Sequence, residues 1–160
     1  MHPTKNTLDA AKRGKSVVLL GVGLVHGLDL ERQAKQAHWN VRGPHFISLH
    51  ELFDRVATQA ATDSDTIAER LVALGGVADG RAQTVANRTT LPEYPIDATS
   101  GTQHVELLSQ AIATYGALAR DAIASATEWD DPGTADVFTQ ISRSLDQLLW
   151  MVEIHRSPAG

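Results

Sequence analysis

Four side chains in the first half of the chain have the types and the spacing to hold a metal ion. His50 and Asp54 stand four residues apart, Asp65 and Glu69 repeat that interval, and on a helix each pair shares one face. The step from Asp54 to Asp65 is 11 residues, almost three whole turns, so all four groups fall on one line. The two pairs still lie about 16 Å apart along the axis, whereas His nitrogen and carboxylate oxygen reach a metal at about 2.0–2.2 Å. One chain cannot close a site with this line. Two chains crossing antiparallel about a two-fold axis can: residue i faces residue 119 minus i, so His50 meets Glu69 and Asp54 meets Asp65. The crossing falls at Gln59 and Ala60, among Ala57, Thr58, Ala61 and Thr62, which are small enough for two helices to approach closely. His38 supplies a further nitrogen beside His50. The predicted set is His38, His50 and Asp54 from one chain with Asp65 and Glu69 from its partner. Such a mixture of imidazole and carboxylate suits iron, with zinc or manganese as alternatives. Taken singly, acidic residues four apart usually form a solvated face and a lone histidine is usually structural; only the conjunction points to a metal.

Helices must present these groups. Apolar positions recur at intervals of three and four over roughly residues 16–42, 46–74, 101–127 and 133–156, which predicts four helices. Gly43-Pro44 separates the first two, Gly75-Gly76 ends the second, and Asp131-Pro132 suits the start of the fourth. About 25 residues join the second helix to the third, with Pro92 and Pro95 among them and a short helix predicted near 80–87. A connection of that length fits an all-α, ferritin-like four-helix bundle, whose single long crossover travels the length of the bundle. Residues 1–15 read as a flexible basic arm and residues 16–160 as one bundle domain. Gly21, Gly23 and Gly27 then sit inside the first helix at a cost of about 1 kcal/mol each, for which close packing is the one available reason. The string SVVLLGVGLVHG imitates a dinucleotide-binding glycine loop, but His26 stands where the last glycine belongs and no second strand follows.

The hydrophobic share of 42% is enough for one core, and the formal charge of -5 argues against a surface wholly given to nucleic acid. That charge is uneven: Lys5, Lys12, Arg13 and Lys15 stand against Asp9 alone in residues 1–16, so a basic arm precedes an acidic body. The absence of cysteine leaves His and carboxylates as the metal ligands and fits a reducing compartment. The apolar run Ser16 to Leu28 imitates a signal peptide, yet it lacks a cleavage motif and is too short for a membrane span. A cytoplasmic protein is the expectation.

The segments KQAHWNVRGPHF, LHELFD, DTIAERLVALGG, YPID and TADVFTQISRSLDQLLW resemble Dps, the DNA-binding protein from starved cells, a family of ferritin-like miniferritins. The resemblance covers nearly all of the chain after residue 16. It implies a hollow homododecameric cage in which Fe(II) is oxidised, preferentially by hydrogen peroxide, at ferroxidase centres shared between subunits, and stored as ferric mineral. The family's ligands fall on His38, His50 and Asp54 of one subunit and on Asp65 and Glu69 of the two-fold partner. No Glu-x-x-His, the motif of di-iron centres inside a single bundle, is present.

The resemblance also places Trp39 beside the centre and acidic residues near three-fold pores, where Asp130, Asp131 and Asp136 would draw Fe(II) inward. For Asp136 the match is closest; the competing reading of all three is favourable placement at a helix N-terminus. Lys5, Lys12, Arg13 and Lys15 give a second function to weigh, compaction of nucleoid DNA by twelve displayed arms. Zinc and other divalent ions are expected to substitute for iron. His26, His45, His104 and His155 lie off the ligand line and read as structural or surface residues.

Overall fold

The computed structural model describes residues 1–156, and in it the apolar periodicity becomes four long helices: α1 (Ala10–Asn40), α2 (Phe46–Ala73), α4 (Gly101–Glu128) and α5 (Pro132–Glu153). The short α3 (Ala82–Arg88) lies in the long connection. No helix among the described residues is long and apolar enough to cross a membrane.

α1 begins at Ala10, earlier than its apolar pattern. The Asp9 carboxylate accepts from the N–H groups of Ala11 at 2.9 Å and Lys12 at 3.2 Å, satisfying two of the donors a helix start leaves free. Its first turns are mostly polar, so periodicity does not register them. Residues 10–15 therefore belong to the helix. The chain before them folds back: the His2 N–H donates to the Gly75 carbonyl at 2.6 Å, at the end of α2.

α1 and α2 pack as one helical hairpin, α4 and α5 as another. The ends of α4 and α5 are set by side chains: Ser100 and Gln103 form a reciprocal capping box for α4, and Asp131 caps α5 ahead of Pro132. Between the hairpins the chain travels from Gly75, at the far end of α2, to Thr99, whose carbonyl accepts from the Arg42 N–H at 3.0 Å just beyond the end of α1. A 28-residue helix is about 42 Å long, and the crossover spans it. Along the way the Gln33 amide donates to the Pro92 carbonyl at 3.0 Å, and the His26 Nε2 accepts from the Thr90 N–H at 3.2 Å. The connection is thus fastened to α1.

The core lies between the hairpins and includes Leu20, Leu30, Phe53, Ile67, Leu108, Ile112, Tyr115, Phe138 and Leu145. Phe53 and Phe138 are fully enclosed, each worth about 1.5–3 kcal/mol relative to exposure. Close packing accounts for two glycines of α1. A Cβ on Gly23 would stand 2.8 Å from the Phe138 ring, and one on Gly27 would collide with the Ser64 hydroxyl. Gly21 has ordinary room, so packing does not require it.

Candidate metal centre

α2 begins immediately after the Gly43 turn, where the backbone adopts a positive φ of 116° that favours glycine. This turn lays the start of α2 against the end of α1 and brings His38 over His50. The two rings stack with centroids 3.6 Å apart. Each is held by the other residue's backbone: His38 Nδ1 lies 2.7 Å from the His50 carbonyl, and His50 Nδ1 lies 2.8 Å from the His38 carbonyl. A carbonyl only accepts, so both Nδ1 atoms carry hydrogen. Both Nε2 lone pairs remain available to a metal, the tautomer expected of imidazole ligands oriented by a carbonyl. Phe46, exposed at the start of α2, lies with its ring 5.0 Å from that of His50. Trp39 is 65% exposed on the last turn of α1.

One turn beyond His50, Asp54 is half-exposed and ion-paired with Lys35. The Lys35 ammonium beside it holds the Asp54 carboxyl below the usual carboxylate range, against a smaller opposing effect of desolvation. Lys35 is the residue that ligand spacing missed. Its signal was present, since it precedes His38 by three positions and so lies on the same helix face. An ammonium is no ligand, but it occupies the place beside Asp54 that a cation would take.

Asp65 and Glu69 are exposed on the same outer line of α2. Among the described residues, no three His, Asp or Glu side chains of one protomer stand together as a metal site. The burial pattern sharpens the predicted crossing. Ala57 and Ala60 are 1% and 2% exposed and belong to the protomer's own core, so they are not free to meet a partner helix. Thr58 and Thr62 are exposed and Ala61 is half-buried on the outer face. Thr58 and Ala61 are themselves partners under the same pairing rule.

The three acidic residues expected near a pore separate into two environments. Asp130 and Asp136 are exposed and line one surface hollow with Ile123, Thr127 and Thr139. Asp131 is 1% exposed and turned inward. It accepts from Arg70 Nη2 at 2.7 Å, from the Ser16 hydroxyl at 2.7 Å and from the Thr134 N–H at 3.1 Å. Burial raises its pKa, but the Thr134 and Ser16 hydroxyls, the Thr134 N–H and the Arg70 guanidinium outweigh burial and hold the carboxyl below its ordinary value. Asp131 therefore serves as a structural cap, not as an open carboxylate.

The basic residues are likewise divided. Lys12 pairs with Asp130 at 3.1 Å, Lys15 lies over the Trp129 ring at 5.4 Å, and Arg13 is half-buried. Only Lys5 of the four precedes the helix. His26 is buried with Nδ1 bonded to the Val22 carbonyl at 2.8 Å, a structural role. His104 is also buried, and sequence spacing gave it no task.

Residues 24–157 match the Ferritin family, described as a ferritin-like domain. The chain is 42% identical over 154 residues to the DNA protection during starvation protein of Agrobacterium fabrum, covering 96% of this chain and 95% of that one. It is 35% identical to the protein of the same description from Brevibacillus brevis, over 85% and 91% of the two chains. Among solved structures it is similar to DpsA14 from Streptomyces coelicolor, with a TM-score of 0.91, 32% identity and coverage of 98% and 93%. It is also similar to Dps from Microbacterium arborescens in the high iron form, with a TM-score of 0.82, 33% identity and coverage of 95% and 97%.

Proposed function

Because the chain belongs to the Dps family of ferritin-like proteins, we propose that it is a ferroxidase that detoxifies and stores iron. Fe(II) is the substrate, hydrogen peroxide the preferred oxidant, and a ferric mineral inside a dodecameric cage the product. The observation that carries this reading is the pair of stacked imidazoles, His38 and His50, each with Nδ1–H engaged and Nε2 free, one turn from the Asp54 carboxylate. His38, His50 and Asp54 form one half of each centre, and Asp65 and Glu69 of the two-fold partner form the other. Carboxylate oxygens are hard ligands and favour Fe(III) over Fe(II), so the site promotes loss of the electron. Peroxide needs two electrons to become two hydroxides, and two irons at one centre supply both without releasing hydroxyl radical. We assign the attraction of Fe(II) ahead of oxidation to the exposed carboxylates Asp136 and, with its charge shared with Lys12, Asp130. The same ligand set also accepts zinc, which has no electron to give and acts as a competitor.

Compaction of DNA is the weaker reading. Of the basic residues that would carry it, Lys12 and Lys15 are engaged within the fold and Arg13 is half-buried. The deciding experiment mixes Fe(II) anaerobically with hydrogen peroxide and follows the absorbance of the ferric product. Oxidation faster than in buffer is expected, and it should vanish in Asp65→Ala combined with Glu69→Ala. A rate equal to that in buffer would overturn the ferroxidase reading.

A further inference from the structure

Against Phe53, the neighbour in sequence of the candidate ligand Asp54, lies a hydrogen-bonded pair of oxidisable and basic side chains that iron binding does not use. The Tyr94 hydroxyl, in the crossover, is 2.6 Å from Nδ1 of His104, near the start of α4. The two rings stack at 5.9 Å with 15° between their planes. His104 is 0% exposed, and its Nε2 is shielded from solvent with no hydrogen-bond partner among the described residues. The Asn40 backbone, two residues beyond His38, acts on the His104 ring in the direction that favours its protonated form. In the tautomer with hydrogen on Nε2, Nδ1 accepts from the Tyr94 hydroxyl, and it is this tautomer that the relay uses. On its other side His104 meets Phe53 edge-on, with centroids 6.2 Å apart, and Phe53 immediately precedes Asp54. The pair is thus packed against the elements that carry His38, His50 and Asp54.

The half-buried Tyr94 phenol is hard to oxidise when its proton has nowhere to go, because the cationic radical is costly wherever water does not solvate it. A base at hydrogen-bond distance removes that obstacle. Burial lowers the pKa of His104, so the ring is neutral and its lone pair open at neutral pH. The other tyrosine, Tyr115, donates to the Gly23 carbonyl at 3.0 Å, which cannot take a proton.

We propose that Tyr94 and His104 act as a redox relay, lending one electron to the iron centre and taking it back. This rests on the ferroxidase reading and deepens it. When a single Fe(II) occupies a centre, one iron and one Tyr94 give the two electrons that hydrogen peroxide requires. Peroxide becomes two hydroxide ions, iron becomes Fe(III), and the phenol proton passes to His104 Nδ1, leaving a neutral tyrosyl radical beside an imidazolium. The next Fe(II) returns the electron as His104 returns the proton. Two Fe(II) and one peroxide are then consumed for two Fe(III) and two hydroxides, with Tyr94 and His104 restored. Hydroxyl radical is avoided even at half loading. The Lys35 ammonium beside Asp54 makes such partial loading relevant.

The test loads the full-length protein anaerobically with one Fe(II) per centre, adds one hydrogen peroxide, and freezes samples for electron paramagnetic resonance while absorbance records ferric product. A transient organic radical is expected whose hyperfine structure collapses when ring-deuterated tyrosine is incorporated. The signal should be lost in Tyr94→Phe and in His104→Gln, with spin-trapped hydroxyl radical rising in Tyr94→Phe at one iron per centre but not at two. Tyr94→Phe removes one oxygen from a half-buried side chain, so it keeps the test decisive where His104→Gln fails to fold. Iron oxidation with no tyrosyl radical, or a signal unchanged in Tyr94→Phe, overturns the relay and leaves the ferroxidase reading intact. Absence of iron oxidation overturns both.

Discussion

His38 and His50 hold each other in place: each ring donates through Nδ1 to the other's backbone carbonyl, at 2.7 and 2.8 Å. The end of α1 and the start of α2 thus supply the orienting groups for a pair of ligands without a dedicated carboxylate behind either. What the pair lacks is the other half of the centre, and the first prediction addresses where that half comes from.

Neither a His50→Ala cage nor an Asp65→Ala, Glu69→Ala cage should oxidise iron. Subunits of the two, unfolded together in equal amounts and reassembled, should regain activity, because a mixed two-fold pair has one centre with every ligand. Random pairing about a two-fold axis restores about a quarter of the centres. Recovery of none would refute the shared site, measured by stopped-flow absorbance against the wild-type cage.

Replacing Lys35 by Met removes the cation beside Asp54. A half-exposed ion pair is worth at most about 1 kcal/mol, so Fe(II) affinity should rise by roughly two- to fivefold and no more. Anaerobic calorimetric titration measures it. Weaker binding in Lys35→Met would mean that the ammonium supports the metal rather than excluding it.

Asp136→Asn should slow iron uptake at low ionic strength and have little effect at high salt, since attraction toward an exposed carboxylate is screened over about 8 Å at physiological salt. The initial rate of mineral formation, followed against salt concentration, reads this out. An uptake rate unchanged at low salt would exclude Asp136 from steering.

Asp131→Asn tests the cap. Asn still caps a helix well, so the loss falls on the buried ion pair with Arg70, itself partly exposed; about 2–3 kcal/mol is expected, below the full cost of stranding a buried charge. The sign with pH follows from the direction of the shift. A carboxyl held below its unfolded value stabilises the fold above about pH 4 and loses that contribution as pH falls through the folded value. Asp131→Asn should flatten the acid limb of the stability curve. Asp63 works oppositely: burial raises its pKa despite hydrogen bonds from the Ser144 hydroxyl and the Gln59 amide, so the charged form is penalised at neutral pH. Asp63→Asn should leave stability at neutral pH equal or higher, measured by thermal unfolding.

Removing residues 1–8 takes away Lys5 but spares the Asp9 cap and the Lys12–Asp130 ion pair. Gel mobility of DNA at low salt should be the same for the full chain and this truncation. A shift present in the former and lost in the latter would establish the arm as a DNA-binding element.

The four long helices and the line of His50, Asp54, Asp65 and Glu69 were legible in the sequence because each depends on short-range periodicity, while the crossover showed as a long stretch without it and His38 entered from a neighbouring helix. Intervals of four and eleven residues define one helix face whatever surrounds it, and the mismatch between about 16 Å of helix rise and metal bonds near 2 Å calls for a second chain. Such arithmetic is blind to which side of a helix its own bundle covers. Ala57 and Ala60 are as small as Ala61, and only packing assigned them to the core and left Thr58 and Ala61 outside. Partners distant in sequence were equally invisible. Asp131 has the composition of an open carboxylate until Arg70 and Ser16, 61 and 115 residues away, are folded onto it. Tyr94 and His104 are unremarkable until the crossover ends and α4 begins against Phe53. Periodicity along one element is local and survives in the sequence; contacts between elements exist only once the bundle has closed.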